Sequence, residues 1–215
     1  MNLNKAELII TILALVLIIA IPQYGVIAAF VIVIAYLKRN KLFATIGLQK
    51  PENIISKIIT CALMGVAIEL IAETVLNPLI ENITESKIDL SAVDLSSVTS
   101  YLIWIVIGFV LGGLLEEILF RGFLITRISK MIKDNQISDI IALLISSSVF
   151  GLCHLYQGWS GVISTGIIGL IFGIIFLAFK KNLWYSILTH GFVNLTGLTI
   201  LYFNYYDTIE KLIFK

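Results

Sequence analysis

Charge is scarce in this chain. Only 13% of its 215 residues are Asp, Glu, Lys or Arg, about half the share of a soluble domain. That shortage excludes an ordinary solvated surface. A net charge of +1 also excludes a broad basic face for nucleic acid. Cysteine is nearly absent. Cys61 and Cys153 sit in apolar stretches with no CxxC and no Cys/His ligand spacing, so they read as small packed hydrophobes rather than metal ligands. Histidine occurs twice, at His154 and His190, and both lie in apolar runs. There is no internal repeat and no low-complexity segment.

Apolar sequence is what the chain has in quantity. It is 59% hydrophobic with a mean hydropathy of +1.00. Apolar runs fall at 7–21, 24–37, 54–76, 98–126, 137–156, 161–179 and 183–203. A span of a ~30 Å hydrocarbon core needs about 20 such residues. The first two runs are short for that, and Pro22-Gln23 reads as the turn of a tight hairpin or a kink in one long helix, two helices being the favoured reading. The expectation is an all-α, polytopic transmembrane helix bundle of about seven spans, six to eight being compatible with the runs. The start, "MNLNKAELIITILALVLIIAIPQYG", resembles a signal peptide but lacks a small-x-small cleavage site, so it reads as a retained segment.

The links between runs alternate in sign. "KRNK" at 38–41 with Lys50, then Arg127, Lys130 and Lys133, then Lys180-Lys181 are basic. The 77–97 link carries Glu81, Glu85, Asp89 and Asp94 against Lys87. The positive-inside rule places 38–50, 127–136 and 180–182 in the cytoplasm and 77–97 outside.

Ionisable groups within spans are costly and tend to face the protein interior. Here they are Glu69, Glu73, Glu116, Glu117, Arg121, His154 and His190. Glu117 precedes Arg121 by one helical turn, the favourable order for an ion pair that makes the arginine tolerable. Glu116 points about 100° away and has no local partner, so its partner must be distant. Asn194 lies one turn after His190. With 98–133 and 137–155 as a hairpin turning near Asn135, Glu116 and His154 are level at about 28 Å from the turn. His190 then meets them, and the four groups converge at a polar site expected below the cytoplasmic surface.

A carboxylate and an imidazole at one water suit general-base hydrolysis, with Glu116 taking the proton and His154 orienting the water. The side chains of His190 and Asn194 suit an oxyanion site. Three motifs carry a resemblance: "EEILFRG" fits Glu-Glu-x-x-x-Arg, "FGLCH" fits Phe-x-x-x-His, and "HGFVN" fits His-x-x-x-Asn. In that order they resemble the CPBP family of intramembrane proteases, also called the Abi or CAAX-protease-and-bacteriocin-processing family, which includes Rce1-type CAAX prenyl endopeptidases. The resemblance covers about residues 100–200. It implies a glutamate-type protease with catalytic Glu116, His154, His190 and Asn194, supported by Glu117, Arg121 and Phe150, and with no cofactor. Residues 1–97 are then N-terminal transmembrane helices with an acidic external loop, 98–205 the catalytic core, and 206–215 a short C-terminal tail. The implied partners are membrane lipid and a membrane-associated or lipidated peptide or protein. The implied place is a bacterial-type cytoplasmic membrane, with the site toward the cytoplasmic side.

Other chemistry stays open on the same residues. Glu116, His154 and His190 make a His₂Glu set of the kind that binds catalytic zinc, although HExxH is absent. Ser147 lies two turns before His154, but no Gly-x-Ser-x-Gly turn accompanies it. A transporter or immunity scaffold would use Glu69 and Glu73, four residues apart, as an ion path.

Overall fold

The computed structural model describes residues 4–205. These form seven helices, and no strand occurs among the described residues. The helices are α1 (Lys5–Ala20), α2 (Pro22–Arg39), α3 (Ile54–Thr84), α4 (Val98–Ile132), α5 (Gln136–Leu152), α6 (Gly158–Ala178) and α7 (Leu183–Tyr202). They follow the seven apolar runs. Four are long and apolar enough to cross a membrane: α2, α3, α4 and α6 with the 3₁₀ turn Leu155–Gln157 that leads into it. The proposed tail at 206–215 lies outside the described residues.

Local chemistry sets the boundaries. Asn4 caps α1, accepting from the Glu7 N–H at 2.9 Å while Glu7 reaches back to the Asn4 N–H at 3.3 Å, a capping box. Pro22 then starts α2 at a position where no backbone N–H is needed. Asn4 Nδ2 meets Tyr36 Oη at 3.3 Å, so α1 and α2 are an antiparallel hairpin rather than one kinked helix. Asn135 caps α5 through the Ser138 N–H at 2.9 Å, which puts the α4–α5 turn where the charge pattern predicted it. Gly158 opens α6 at φ +77°, a conformation that costs glycine little.

Successive helices run antiparallel, so the links fall at two ends of the bundle. The 40–53 link and the turns at 133–135 and 179–182 share one end. There Leu183 N–H bonds Gly47 O at 3.0 Å and the Trp184 indole bonds Gln49 O at 2.6 Å. The 85–97 link and the turn at 153–157 share the other end, tied by Asp89 N–H to Gln157 O at 3.1 Å. All the basic links thus lie together, opposite the acidic one.

The packing is that of a protein whose solvent is lipid. Large apolar side chains such as Ile9, Val16, Ile55 and Leu63 are exposed. Polar and charged groups are buried, among them Glu117, Arg121, Arg127, Ser146, Ser186 and His190. In a bilayer such groups must be paired internally, and each of these six residues has a partner. Ser146 donates to Phe120 O at 2.9 Å and Ser186 to Phe172 O at 3.3 Å. Arg127 contacts Glu7 at 3.1 Å and Thr45 Oγ1 at 2.6 Å, which ties α1 and the 40–53 link to α4. Cys61 and Cys153 are both free and buried, as their apolar settings implied.

Candidate active site

α4 carries the site because its middle is both glycine-rich and unusually wound. Gly108–Glu116 and Ile118–Ile125 are π-helical, as is Ala72–Leu76 in α3. Such wide turns often occur at functional positions. Two of the three stretches carry a carboxylate that faces one cavity, Glu116 from α4 and Glu73 from α3.

Glycines let α4 approach α7 closely at this level. A Cβ on Gly112 would collide with Asn194 Nδ2 and lie 3.3 Å from His190 Nε2. One on Gly113 would stand 3.0 Å from Ile187 O. The close approach lets Asn194 Nδ2 donate to Gly108 O at 2.9 Å. That bond leaves one amide hydrogen of Asn194 for another acceptor.

Behind the cavity wall lies a chain of charges. Arg121, 1% exposed, bonds Glu117 Oε1 at 2.6 Å and Gly169 O at 2.9 Å. Its guanidinium also lies 4.4 Å from the Phe150 ring centroid, within reach of a cation–π interaction. The same Glu117 oxygen lies 2.8 Å from His190 Nδ1. The expected Glu117–Arg121 pair is therefore one link of a longer series, Arg121–Glu117–His190. At its end His190 Nε2 stands 3.9 Å from Glu116 Oε2. The Glu116 side chain is 28% exposed, toward the cavity.

His154 closes α5. Its Nδ1 is 3.0 Å from Phe150 O. A carbonyl only accepts, so Nδ1 carries the hydrogen and Nε2 is the free ring nitrogen of the neutral ring. Phe150 packs edge-on to His154 at 5.0 Å and to His190 at 6.1 Å, holding the two imidazoles apart. Phe172 stacks on His190 at 4.4 Å.

Glu116, His154, His190, Asn194 and Phe150 all line a single cavity of about 790 Å³. Glu117 and Arg121 stand behind it. Ser147 is buried in α5 and does not line it. Among the described residues, no three His, Cys, Asp or Glu side chains are grouped so as to hold a metal ion. Glu81 also lines the cavity, as do Glu69 and Glu73, which carry no motif in the sequence. Asn77 Nδ2 bonds Glu73 at 3.2 Å, and Ser164 donates to Asn77 Oδ1 at 2.5 Å. Their i, i+4 spacing was the available signal.

The cavity extends to one side of the motif residues. On α4 and α7 its wall runs from those residues toward the acidic link. α4 contributes from Trp104 to Glu116, and α7 from His190 to Leu201. Leu90 and Val93 of the 85–97 link complete the lining. The helix halves next to the basic links contribute nothing.

Residues 98–196 match the family model described as Rce1-like, type II CAAX prenyl endopeptidase. The match spans α4 to α7 as far as Thr196 and includes all three motifs. No curated protein and no solved structure matches the chain.

Proposed function

We propose, for a chain whose residues 98–196 belong to the Rce1-like family, that it is an intramembrane endopeptidase cleaving a membrane-associated or lipidated peptide by a glutamate-activated water. The observation that supports this most is the convergence of Glu116, His154, His190 and Asn194 on one cavity lining. Residues 98–205 act as the catalytic core, and 1–97 as the helices that flank and cover it.

Glu116 takes a proton from water as the water oxygen attacks the scissile carbonyl carbon. His154, with Nδ1–H held by Phe150 O, accepts the second hydrogen of that water at Nε2 and so fixes its direction. The tetrahedral oxyanion receives the free amide hydrogen of Asn194. It also receives a ring N–H of His190, which Glu117 holds from behind at 2.8 Å. Arg121 holds Glu117 oriented through their 2.6 Å bond. On collapse, Glu116 passes its proton to the departing amine and the C–N bond breaks. The new acid and amine leave, and no metal takes part.

The test is a cleavage assay in detergent. It offers a fluorogenic farnesylated CAAX peptide and its unprenylated twin to wild type and to Glu116→Gln, with and without a zinc chelator. Turnover that is lost in Glu116→Gln and indifferent to chelator is the expected result. A chelator block reversed by added zinc would replace the glutamate mechanism with a metal one. Equal turnover by Glu116→Gln would remove Glu116 from the chemistry.

A further inference from the structure

We infer that the cavity takes its substrate from the extracytoplasmic side of the membrane, so that the peptide it processes is exported or outward-facing rather than cytosolic. The inference rests on the hydrolytic reading for what happens inside the cavity, but not for where the cavity opens.

Two independent features lead there. One is the cavity's polarity. Its lining runs from Glu116, His190 and Phe172 to Leu90, Val93 and Leu201. The last three lie at the end of the bundle that holds the 85–97 link. The other feature is charge. The opposite end gathers Lys38, Arg39, Lys41, Lys50, Lys133, Lys180 and Lys181 in its short links. The 85–97 link carries Asp89 and Asp94 with Lys87, and Lys87 is itself paired to Glu81 at 2.8 Å. Lysine and arginine in short links hold those links in the cytoplasm. The end of the cavity lined by Leu90 and Val93 then faces outward.

The walls suit a peptide that arrives along the membrane. α3 and α4 do not pack on one another to any extent; each packs on α7. The opening between them has an apolar side of Trp104, Ile107 and Leu111 and a polar side of Glu73 and Asn77. An extended segment with apolar side chains on one edge and backbone amides on the other fits that contrast. The 85–97 link lies across its outer end, bonded to Gln157 through Asp89.

The test is accessibility in intact cells that make the full chain. Cys61→Ala and Cys153→Ala remove the native thiols, and single cysteines then go in at exposed sites. Leu90→Cys marks the link end of the cavity, Ala92→Cys marks the same link, and Lys133→Cys marks the α4–α5 turn. The probe is a membrane-impermeant maleimide. Leu90→Cys and Ala92→Cys should label at least tenfold more than Lys133→Cys in intact cells, with the difference vanishing once membranes are opened. Preferential labelling of Lys133→Cys, equal labelling, or protection of both link positions until the membrane is opened would overturn the inference. Labelling needs no turnover. A failure of the hydrolytic reading would show instead as cleavage unaffected by Glu116→Gln, with the labelling pattern unchanged.

Discussion

Replacing Arg121 by methionine should be among the most destabilising changes in the chain, and the loss should be largely reversed by neutralising Glu117. Arg121 is 1% exposed, bonds Glu117 at 2.6 Å and Gly169 O at 2.9 Å, and faces the Phe150 ring. Arg121→Met leaves Glu117, which is 0% exposed, as a buried carboxylate with only His190 beside it. Breaking a buried pair by removing one partner costs about 3–5 kcal/mol, mostly for stranding the other charge. Glu117→Gln strands the arginine instead, against the Gly169 carbonyl and three aromatic faces, and should cost less. In the double variant the glutamine carbonyl still accepts from His190 and the methionine fills space beside Phe150. Its cost should fall short of the summed single costs by about 2–3 kcal/mol, the upper range for directly coupled residues. The assay is unfolding of purified protein in mixed micelles, titrated with SDS and followed by tryptophan fluorescence. Additive costs would refute the reasoning, because they would mean that Glu117 and Arg121 are not each other's main counter-charge.

Three further predictions concern packing. Gly112→Ala should cost about 1–3 kcal/mol and abolish most activity, because its Cβ meets Asn194 Nδ2 and His190 Nε2; Gly166→Ala, whose nearest neighbours lie at 3.7 and 3.8 Å, should be neutral or slightly stabilising in the same unfolding and cleavage assays. Ser164→Ala should cost about 1–2 kcal/mol, since it removes the donor to buried Asn77 Oδ1; an unchanged unfolding midpoint would contradict that bond. Arg127→Met should loosen α1 and the 40–53 link from α4 and speed protease cutting within residues 40–53, with a smaller stability loss than Arg121→Met because Glu7 keeps 14% exposure.

The sequence showed the helices plainly, because each apolar run is long and each link is marked by charge or a capping residue. Glu116, His154, His190 and Asn194 were also legible. A polar side chain in an apolar run is conspicuous, and its cost in lipid demands a partner. Glu69 and Glu73 were equally conspicuous, but their place in the cavity depends on α3 lying beside α7. No local spacing reveals that neighbour. The glycines at 108, 112 and 113 look like ordinary small residues until α7 is seen against them. The π-helical winding of α4 leaves no periodic mark in a stretch apolar on all sides. The part of the 85–97 link in the cavity lining was illegible for a different reason. It depends on where the 85–97 link folds, and that link is held by single bonds such as Asp89 to Gln157 rather than by an apolar pattern.

The central claim is that Glu116 activates the water that cuts a membrane peptide. The most direct test compares membranes from cells making wild type with membranes from cells making equal amounts of folded Glu116→Gln, by mass spectrometry of new protein N-termini. The account predicts a defined set of N-termini present with wild type and missing with Glu116→Gln. Identical sets from the two, with matched expression and unfolding midpoints, would contradict it.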